Sequence, residues 1–583
     1  MLLKALVELG DQLAASGRLI PRFYAERRAG YRLDLDTHGR PLGPLQAVSD
    51  PDNPKRGMPL ALPATSSKTS GHDPTPVDKV EYVFGAAVSG KEARATKRHD
   101  NYVALVAEMA GATDDQDVKA LSLLLSDHLE EVELPEDLDP TAYVAIYVNG
   151  RALSDSPAVQ KWWAERRERS SSSGNPGSVR PCSVCGQEAV IPEKIDVSIQ
   201  GLTAIGGKPT MGLVTGNSDV FVHHGMRRAT GASICATCGE RSHQALNLLL
   251  ADGTHNRVLG DTTLLWWTSE PVGDLLAAIL DGDSVDSVGH FLDSLRKGGH
   301  LIAPKAARFY SATIGANVNR VVVRDWIDSS LCEVVVHVGT WLRAVEIVDW
   351  DGTAIRVPGL YSLLARLAPP GPGKALSRIS PVLVERTFRS VVGGGALPEP
   401  LLVQCLLRIR ALQGAIRVEQ AALLKAYLIS HNEREGVMTA LDTAGKDVAY
   451  RCGRLLALLD AAARTATSAR NDLVDRSYAA ASTMPASTFP RLLKLHRAHI
   501  NKLRRDRPGA AARIQAEVEE VLDGVSSLPA LFRPSEQARF ALGLYHQQAA
   551  GRARRMAAKA VNAKGNEETD IDDDEEEGND EGD

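Results

Sequence analysis

Apolar residues in this chain change their rhythm once. Up to about residue 400 the apolar runs are short, differ in period and are separated by turn residues. Beyond the Pro/Gly-rich stretches at 369–373 and 393–400, residues 401–560 are rich in Ala, Leu and Arg and keep a helical period with few strand signals. This pattern predicts an α+β protein. Residues 1–400 form a mixed region, 401–563 a C-terminal helical bundle and 564–583 a disordered acidic tail. Within the first region a helical start leads into a hairpin around Asp34-Leu35-Asp36-Thr37-His38-Gly39. Residues 59–75 read as a loop and Val80 to Phe84 as a short strand. Helices are expected from Lys91 to Ala110 and over 115–131, with a flexible linker at 170–177. Thr262 to Trp267 and Val321 to Trp326 read as strands from their β-branched and aromatic content.

The segment from Ser477 to Pro490 combines small residues with Pro485 and Pro490, which predicts a tight corner rather than a helix interior. A basic amphipathic helix is expected next. Leu492, Leu495 and Leu503 would turn inward, and Arg491, Lys494, Arg497 and Arg504 outward.

The net charge of −6 hides two opposite parts. Twelve acidic residues and no Lys or Arg lie between Glu567 and Asp583, and without them 67 basic residues face 61 acidic ones. The body is mildly basic. The tail has no apolar content to bury. It serves either as a solubiliser or as a polyanion that folds back on a nucleic-acid groove. No run of 18 or more apolar residues predicts a membrane span. The N-terminus lacks the pattern of a signal peptide, so a cytoplasmic location is expected. Seven cysteines, an odd number, argue against a disulfide framework in such a protein. Cys332, Cys405 and Cys452 stand among apolar neighbours and are read as core residues.

The strongest chemical signal is a pair of C-x-x-C-G knuckles, Cys182 with Cys185 and Cys235 with Cys238, about fifty residues apart. Each places two thiolates within reach of one tetrahedral ion, and the following Gly permits the turn that aims N–H groups at sulfur. Four cysteines fill a zinc ion's shell and leave no place for a catalytic water, so the site is read as structural. A redox pair is the alternative, but neither motif sits in a thioredoxin-like context. His223, His224 and His243 are read as polar loop or helix residues, since four cysteines suffice. Gly85-Ala86-Ala87-Val88-Ser89-Gly90-Lys91 imitates a Walker A loop. Glu92 stands where a magnesium-binding hydroxyl is required, so ATP is not expected. Lys91, Arg94, Lys97 and Arg98 form a basic helical face that suits nucleic acid or plain solvation.

Three further segments suit phosphates or bases. Lys68-Thr69-Ser70-Gly71 joins a cation to hydroxyls. The Gly-rich stretch 201–217 carries Lys208 and Asn217, and it reads equally as a long hairpin. Arg320, Arg324 and Trp326 share one strand face, which suits nucleic acid or docking, or else an ion pair involving Asp325. No catalytic constellation emerges.

Several of these words occur together, in order, over residues 1–550. Ala245-Leu246-Asn247-Leu248-Leu249, Gly260-Asp261-Thr262-Thr263 with Trp267, Ala449-Tyr450 with Gly453-Arg454-Leu455, and Ala541 to Gln547 are four of them. With the 477–495 cluster, Lys68 to Gly71 leading to Val80–Gly85, Thr215-Gly216-Asn217 with Phe221 and Gly225, and Phe309-Tyr310 through Trp326, the chain resembles the large subunit of the type I-C CRISPR surveillance complex, Cascade. The cysteines at 235 and 238 stand where that family has apolar and acidic residues. The resemblance implies a non-enzymatic subunit that reads the protospacer-adjacent motif (PAM) on double-stranded DNA, helps to open the duplex and recruits the helicase-nuclease. It implies as partners the crRNA, the handle-binding and backbone subunits, and a small subunit made from an internal start, here Met438. Lys68, Ser70, Lys208, Asn217, Arg320, Arg324, Arg491, Lys494, Arg497 and Arg504 would then be nucleic-acid contacts. A stand-alone zinc-ribbon DNA-binding regulator is the alternative; it requires a recognition helix and dimer symmetry that the sequence does not display.

Overall fold

The computed structural model describes residues 2–49, 57–64, 73–87, 90–172, 179–195, 197–216, 219–222, 224–226, 228–269, 307–433, 438–467 and 473–573. The chain is mixed α and β and divides into two compact units, residues 1–252 with 316–322 and residues 253–315 with 323–583.

The first unit opens with helix α1 (Leu2–Ala15) and a mixed sheet. Its central strand β1 (Tyr24–Leu35) buries alternate residues and runs parallel to β4 (Tyr143–Val148), which pairs with β5 (Arg151–Ala152). On its other side β1 pairs with β2 (Gln46–Ala47) and β3 (Met58–Pro63). The expected loop over 59–75, read from its Pro, Ser, Thr and Gly content, gives way at its start to β3, which contains Pro59 and Pro63. Both are tolerated because β3 pairs only with β1, and an edge strand needs no N–H on its outer side. Residues 80–83 are a second correction. Val80–Val83 is a helical turn, α2, not a strand. Lys79 makes a single bridge to Tyr143, after which Val80, Tyr82 and Val83 are all buried. A strand would have turned every second residue outward.

Helices α3 (Glu92–Ala112) and α4 (Gln116–Leu123) follow as expected, and α4 is capped by the Asp115 carboxylate, which accepts from the N–H of Asp117 and Val118. Helix α5 (Pro157–Ser172) adds Trp162 and Trp163 to the core beside Tyr102, Leu105 and Val144. A short hairpin, β6 (Val179–Pro181) with β7 (Glu188–Val190), and helix α6 (Ala236–Ala251) complete this unit.

The second unit begins with an antiparallel sheet in the order β11-β10-β9-β8. Its strands are β8 (Asn256–Leu259), β9 (Thr262–Thr268), β10 (Arg308–Asn317) and β11 (Arg320–Ser330). Gly260 makes the β8–β9 turn with φ near +62°, and a Cβ there would lie 2.6 Å from the Leu376 carbonyl. One continuous core runs from Leu259 to Ala549. It joins the sheet through α7 (Leu331–Val345), α8 (Leu360–Ala365), α9 (Pro381–Gly393), α10 (Glu399–Ala411) and α11 (Val418–Ser430) to α12 (Val448–Thr467), α13 (Leu473–Ala481), α14 (Pro485–Asp506), α15 (Pro508–Asp523) and α16 (Pro534–Asp573). The last helix continues through residues 564–573 of the segment read as tail.

The predicted corner is real but shorter than expected. It covers Ser482 to Met484, and Pro485 starts α14 at a position that needs no N–H. Pro490 sits inside the helix, contrary to the sequence reading. It is exposed, and so is Ala486, whose carbonyl Pro490 leaves without an i→i−4 N–H partner. The buried seam of α14 runs Pro485, Phe489, Leu492, His496, Ile500, Leu503. Leu495, expected inside, is 43% exposed because His496 takes that place. Cys405 and Cys452 are buried as expected, whereas Cys332 is exposed at the start of α7.

Candidate metal centre and nucleic-acid interface

The β6–β7 hairpin presents the first cysteine knuckle. Its turn closes through Cys182 N–H to the Gln187 carbonyl (2.9 Å) and Gly186 N–H to the Cys182 carbonyl (2.8 Å), with Gly186 at φ near +76°. Cys235 is the N-cap of α6 and its sulfur accepts from the Cys238 N–H. Ser183 and Ser233 stitch the knuckles together: Ser183 N–H donates to the Ser233 carbonyl (2.8 Å) and the Ser233 hydroxyl to the Pro181 carbonyl (3.0 Å). All four Sγ atoms fall within 4.8 Å of one another. A tetrahedron with Zn–S bonds of about 2.3 Å has edges of about 3.8 Å, so small side-chain adjustments would close the shell. Cys182, Cys235 and Cys238 are buried and Cys185 is exposed.

The electrostatics favour a cation. The Val184 and Cys235 N–H groups point at the Cys182 sulfur, each at 3.4 Å. The hydrogen bond from Cys238 holds the Cys235 thiol down at about 5, and the same contact pushes Cys238 up. Thiols so crowded compete for the same charge, and a soft divalent ion relieves that competition for all four. The donor set therefore fits a metal ion. Helix α6 is anchored for this task by Gln244 donating to the Ile20 carbonyl and by Arg241 facing Asp11 at 3.4 Å. Gly239 packs so tightly that a Cβ would lie 2.3 Å from Ile195 Cδ1.

The Gly-rich stretch is a hairpin-like loop in which Ile199 bridges Met211. Asn247 on α6 clamps its start, accepting from the Gln200 N–H (2.9 Å) and donating to the Ser198 carbonyl (2.8 Å). Gly207 and Gly212 serve the loop's own packing, against Leu202 and Met211 and against Thr215. Gly212 also exchanges backbone hydrogen bonds with the segment 319–321. Beside the loop lies a cavity of about 380 Å³, lined by Lys194, Lys208, Thr210, Thr215, His243 and Asn319 among others. His243 donates through Nδ1 to the Val197 carbonyl, and burial lowers its pKa, which keeps the imidazole neutral. Lys194 joined this site without a local signal, and His243, read in the sequence only as a polar neighbour of the second knuckle, is set beside Lys208 by folding.

The other sequence candidates fall in different places. Lys68, Ser70 and Asn217 lie outside the described residues. Arg320 stacks on Phe221 at 3.8 Å. Arg324 is exposed and its guanidinium crosses Gly315. Trp326 forms an aromatic group with Trp267 and Tyr310, at centroid distances of 5.6 and 5.7 Å. Asp325 is paired with Arg389. Arg491, Lys494, Arg497 and Arg504 are all exposed along α14. Lys91, Arg94 and Lys97 are exposed on α3, while Arg98 packs over Tyr82 and pairs with Glu81. In the Walker-like loop Glu92 accepts from the Gly90 N–H at 2.9 Å, so a carboxylate already fills the seat a phosphate would need.

Two sequence words turn out to be halves of one contact. Helices α12 and α16 cross where Gly453 meets the Phe540 carbonyl and Gly543 meets the Tyr450 carbonyl. Beside the crossing, the Tyr450 hydroxyl and His546 Nδ1 are 3.0 Å apart, and buried Arg454 donates to Gln547 at 3.0 Å. Among the described residues no helix is long and apolar enough to cross a membrane.

No curated protein matches the chain. A protein-family comparison matches residues 6–551 to the family described as CRISPR-associated protein (Cas_Csd1). With nearly its whole length covered, the chain belongs to the Cas_Csd1 family of CRISPR-associated proteins.

Proposed function

We propose that the chain is the non-catalytic large subunit of a type I-C Cascade. In this reading it reads the PAM on duplex DNA, aids duplex opening, stabilises the R-loop and recruits the helicase-nuclease. Family membership over residues 6–551 is the observation that carries the proposal. The cationic cavity around Lys208 suits a phosphate beside a base edge, and the exposed Arg491, Lys494, Arg497 and Arg504 suit a strand's backbone. Sequence recognition itself is delegated to pairing with the guide, so the protein need only read a short motif and hold backbones.

The four cysteines are assigned a structural zinc. Cys182, Cys185, Cys235 and Cys238 would hold it, and it would join the β6–β7 hairpin to α6, the helix that clamps the Gly-rich loop. Copurification tests the proposal. Tagged protein expressed with its native CRISPR locus should bring down crRNA, a handle-binding subunit and repeated backbone subunits in the cytoplasmic fraction. Recovery of the chain without RNA would refute it. Within that complex, Lys208→Ala should weaken binding to PAM-bearing duplex about tenfold and leave single-stranded target nearly unaffected, because pairing supplies the latter. Equal losses on both would count against PAM reading at this loop.

A further inference from the structure

Trp350 is an unusual surface residue. It is a tryptophan 58% exposed, carried on a loop that the structure holds rigidly. The loop lies between β12 (Ile347–Val348) and β13 (Ile355–Arg356). Asp349 N–H donates to the Ala354 carbonyl (2.7 Å), and Gly352 N–H returns to the Asp349 carbonyl (3.0 Å). Asp351 accepts from the N–H and hydroxyl of Thr353. Helix α16 grips the loop from below. The Tyr545 hydroxyl donates to the Val348 carbonyl (2.8 Å), Arg552 donates to the Trp350 carbonyl, and Gly352 lies so close that a Cβ would sit 2.5 Å from the Ala549 carbonyl. Gly352, at φ near +80°, is required both for that turn and for that approach.

Around this indole the fold gathers guanidiniums. Arg552 lies 5.3 Å from the Trp350 ring centroid. Arg554 and Arg555 follow on the same helix, and Arg464 from α12 and Arg513 from α15 approach them. Burial, then the charges of Arg464, Arg513 and Arg554, hold Arg555 below the usual guanidinium range. Most of the nearby carboxylates are already paired: Glu517 with Arg513 (3.0 Å) and Arg554 (2.7 Å), Asp460 with Arg464 (2.8 Å), and Asp349 with Arg356 (2.7 Å), while Asp351, which accepts from Thr353, faces Arg356 and Arg552. Among the described residues none forms an ion pair with Arg555. Crowded like charges disfavour the fold unless a polyanion meets them. An exposed, preorganised indole supplies a π-face at little entropic cost. Phosphates together with stackable rings define single-stranded nucleic acid, whereas a protein partner would call for carboxylates or apolar surface.

We propose that Trp350 is a base-stacking platform for single-stranded nucleic acid, with Arg552 backing the ring and Arg555 contacting a flanking phosphate. The site shares no residue with the Lys208 cavity or with the α14 basic face. It deepens the reading of the chain as a nucleic-acid-handling Cascade subunit and rests on it.

Full-length protein titrated with labelled single-stranded DNA of about 20 nucleotides tests the site. Trp350→Ala should weaken binding about 5- to 150-fold, the range for losing one base–aromatic stack. Trp350→Phe should retain most of the affinity, and Trp350→Leu, which keeps an apolar side chain without a π-face, should behave like the alanine variant. Arg555→Ala should flatten the log–log salt dependence by about 0.7, whereas Trp350→Ala should leave the slope unchanged. Duplex binding should be unaffected by Trp350→Ala, and the variant should still copurify with crRNA. Wild-type single-strand affinity in both Trp350→Ala and Trp350→Leu would overturn the proposal. So would loss of a protein subunit from the complex with single-strand affinity intact, which would mark a protein dock. Failure of crRNA copurification by the wild-type chain would instead refute the Cascade reading.

Discussion

Gly453→Ala tests the crossing of α12 and α16 with a sign that local propensity predicts wrongly. An alanine in a helix interior is ordinarily more favourable than glycine by about 1 kcal/mol. Here its Cβ would lie 1.9 Å from the Phe540 carbonyl oxygen and 2.8 Å from the Leu544 nitrogen. A carbon–oxygen contact needs about 3.3 Å, and both obstacles are backbone, so no rotamer change relieves them. The helices must part by roughly 1.4 Å at this point, measured along the contact. Overpacking of this kind costs about 1–3 kcal/mol. Separation also stretches the buried Tyr450–His546 and Arg454–Gln547 hydrogen bonds, which contribute about 1 kcal/mol each. Set against the propensity gain, the net loss should be about 2–4 kcal/mol, a fall in melting temperature of about 3–6 °C for a unit of this size. Calorimetry gives the shift, and hydrogen exchange over residues 448–467 and 534–556 locates it. Gly551→Ala, on the same helix α16 with nothing within 4 Å of the added carbon, is the control and should be neutral or slightly stabilising. A Gly453→Ala protein that melts at or above the wild-type temperature would refute the reasoning.

Other consequences follow from the remaining sites. Cys235→Ser should abolish stoichiometric zinc in elemental analysis and raise hydrogen exchange across residues 181–240; wild-type protein purified without chelator and free of zinc would refute the metal assignment. His546 is buried and, with the Lys425 charge adding to burial, its pKa is lowered to about 3, well below the ordinary 6.5. The unfolded chain therefore binds the extra proton first, so the stability from neutral His546 is complete above about pH 6.5 and lost as pH falls towards 3, by about 2–3 kcal/mol at pH 4.5. Denaturant titrations at several pH values should show this slope, and His546→Gln should flatten it. Finally, Met438 stands exposed in the segment before α12, so an internal start there would deliver α12 to α16 as whole helices. Mass spectrometry of complexes made from the native coding sequence should find a product beginning at Met438, and a non-initiating codon should remove it. Full-length chain alone in an active complex would exclude the small subunit.

Some of this protein was legible without coordinates. The two C-x-x-C-G knuckles were, because a metal shell constrains residue type and spacing over a few positions, and the structure brings all four sulfurs together. Strands β9 and β11, helix α3 and the helical C-terminal region were legible from period and composition, since burial on one face imposes a local rhythm. Where that rhythm was ambiguous, tertiary context decided. Val80, Tyr82 and Val83 are buried on a helical turn because core surrounds that segment on more than one side. Pro59 and Pro63 enter a strand because β3 is an edge, and Pro490 enters a helix because its face is wet. Leu495 and Cys332 are exposed although apolar in type, since their neighbours fill the seam and core positions first. The words around Gly453 and Gly543 were visible as words, but their meaning lay in each other, about ninety residues apart. The same holds for Lys194 and His243 beside Lys208, and for Trp350 beside Arg552, with arginines of α12 and α15 acting on Arg555 of the same helix. Periodicity reports which way a residue faces along its own element. Which distant residue it meets depends on how elements pack, and no short stretch of sequence encodes that.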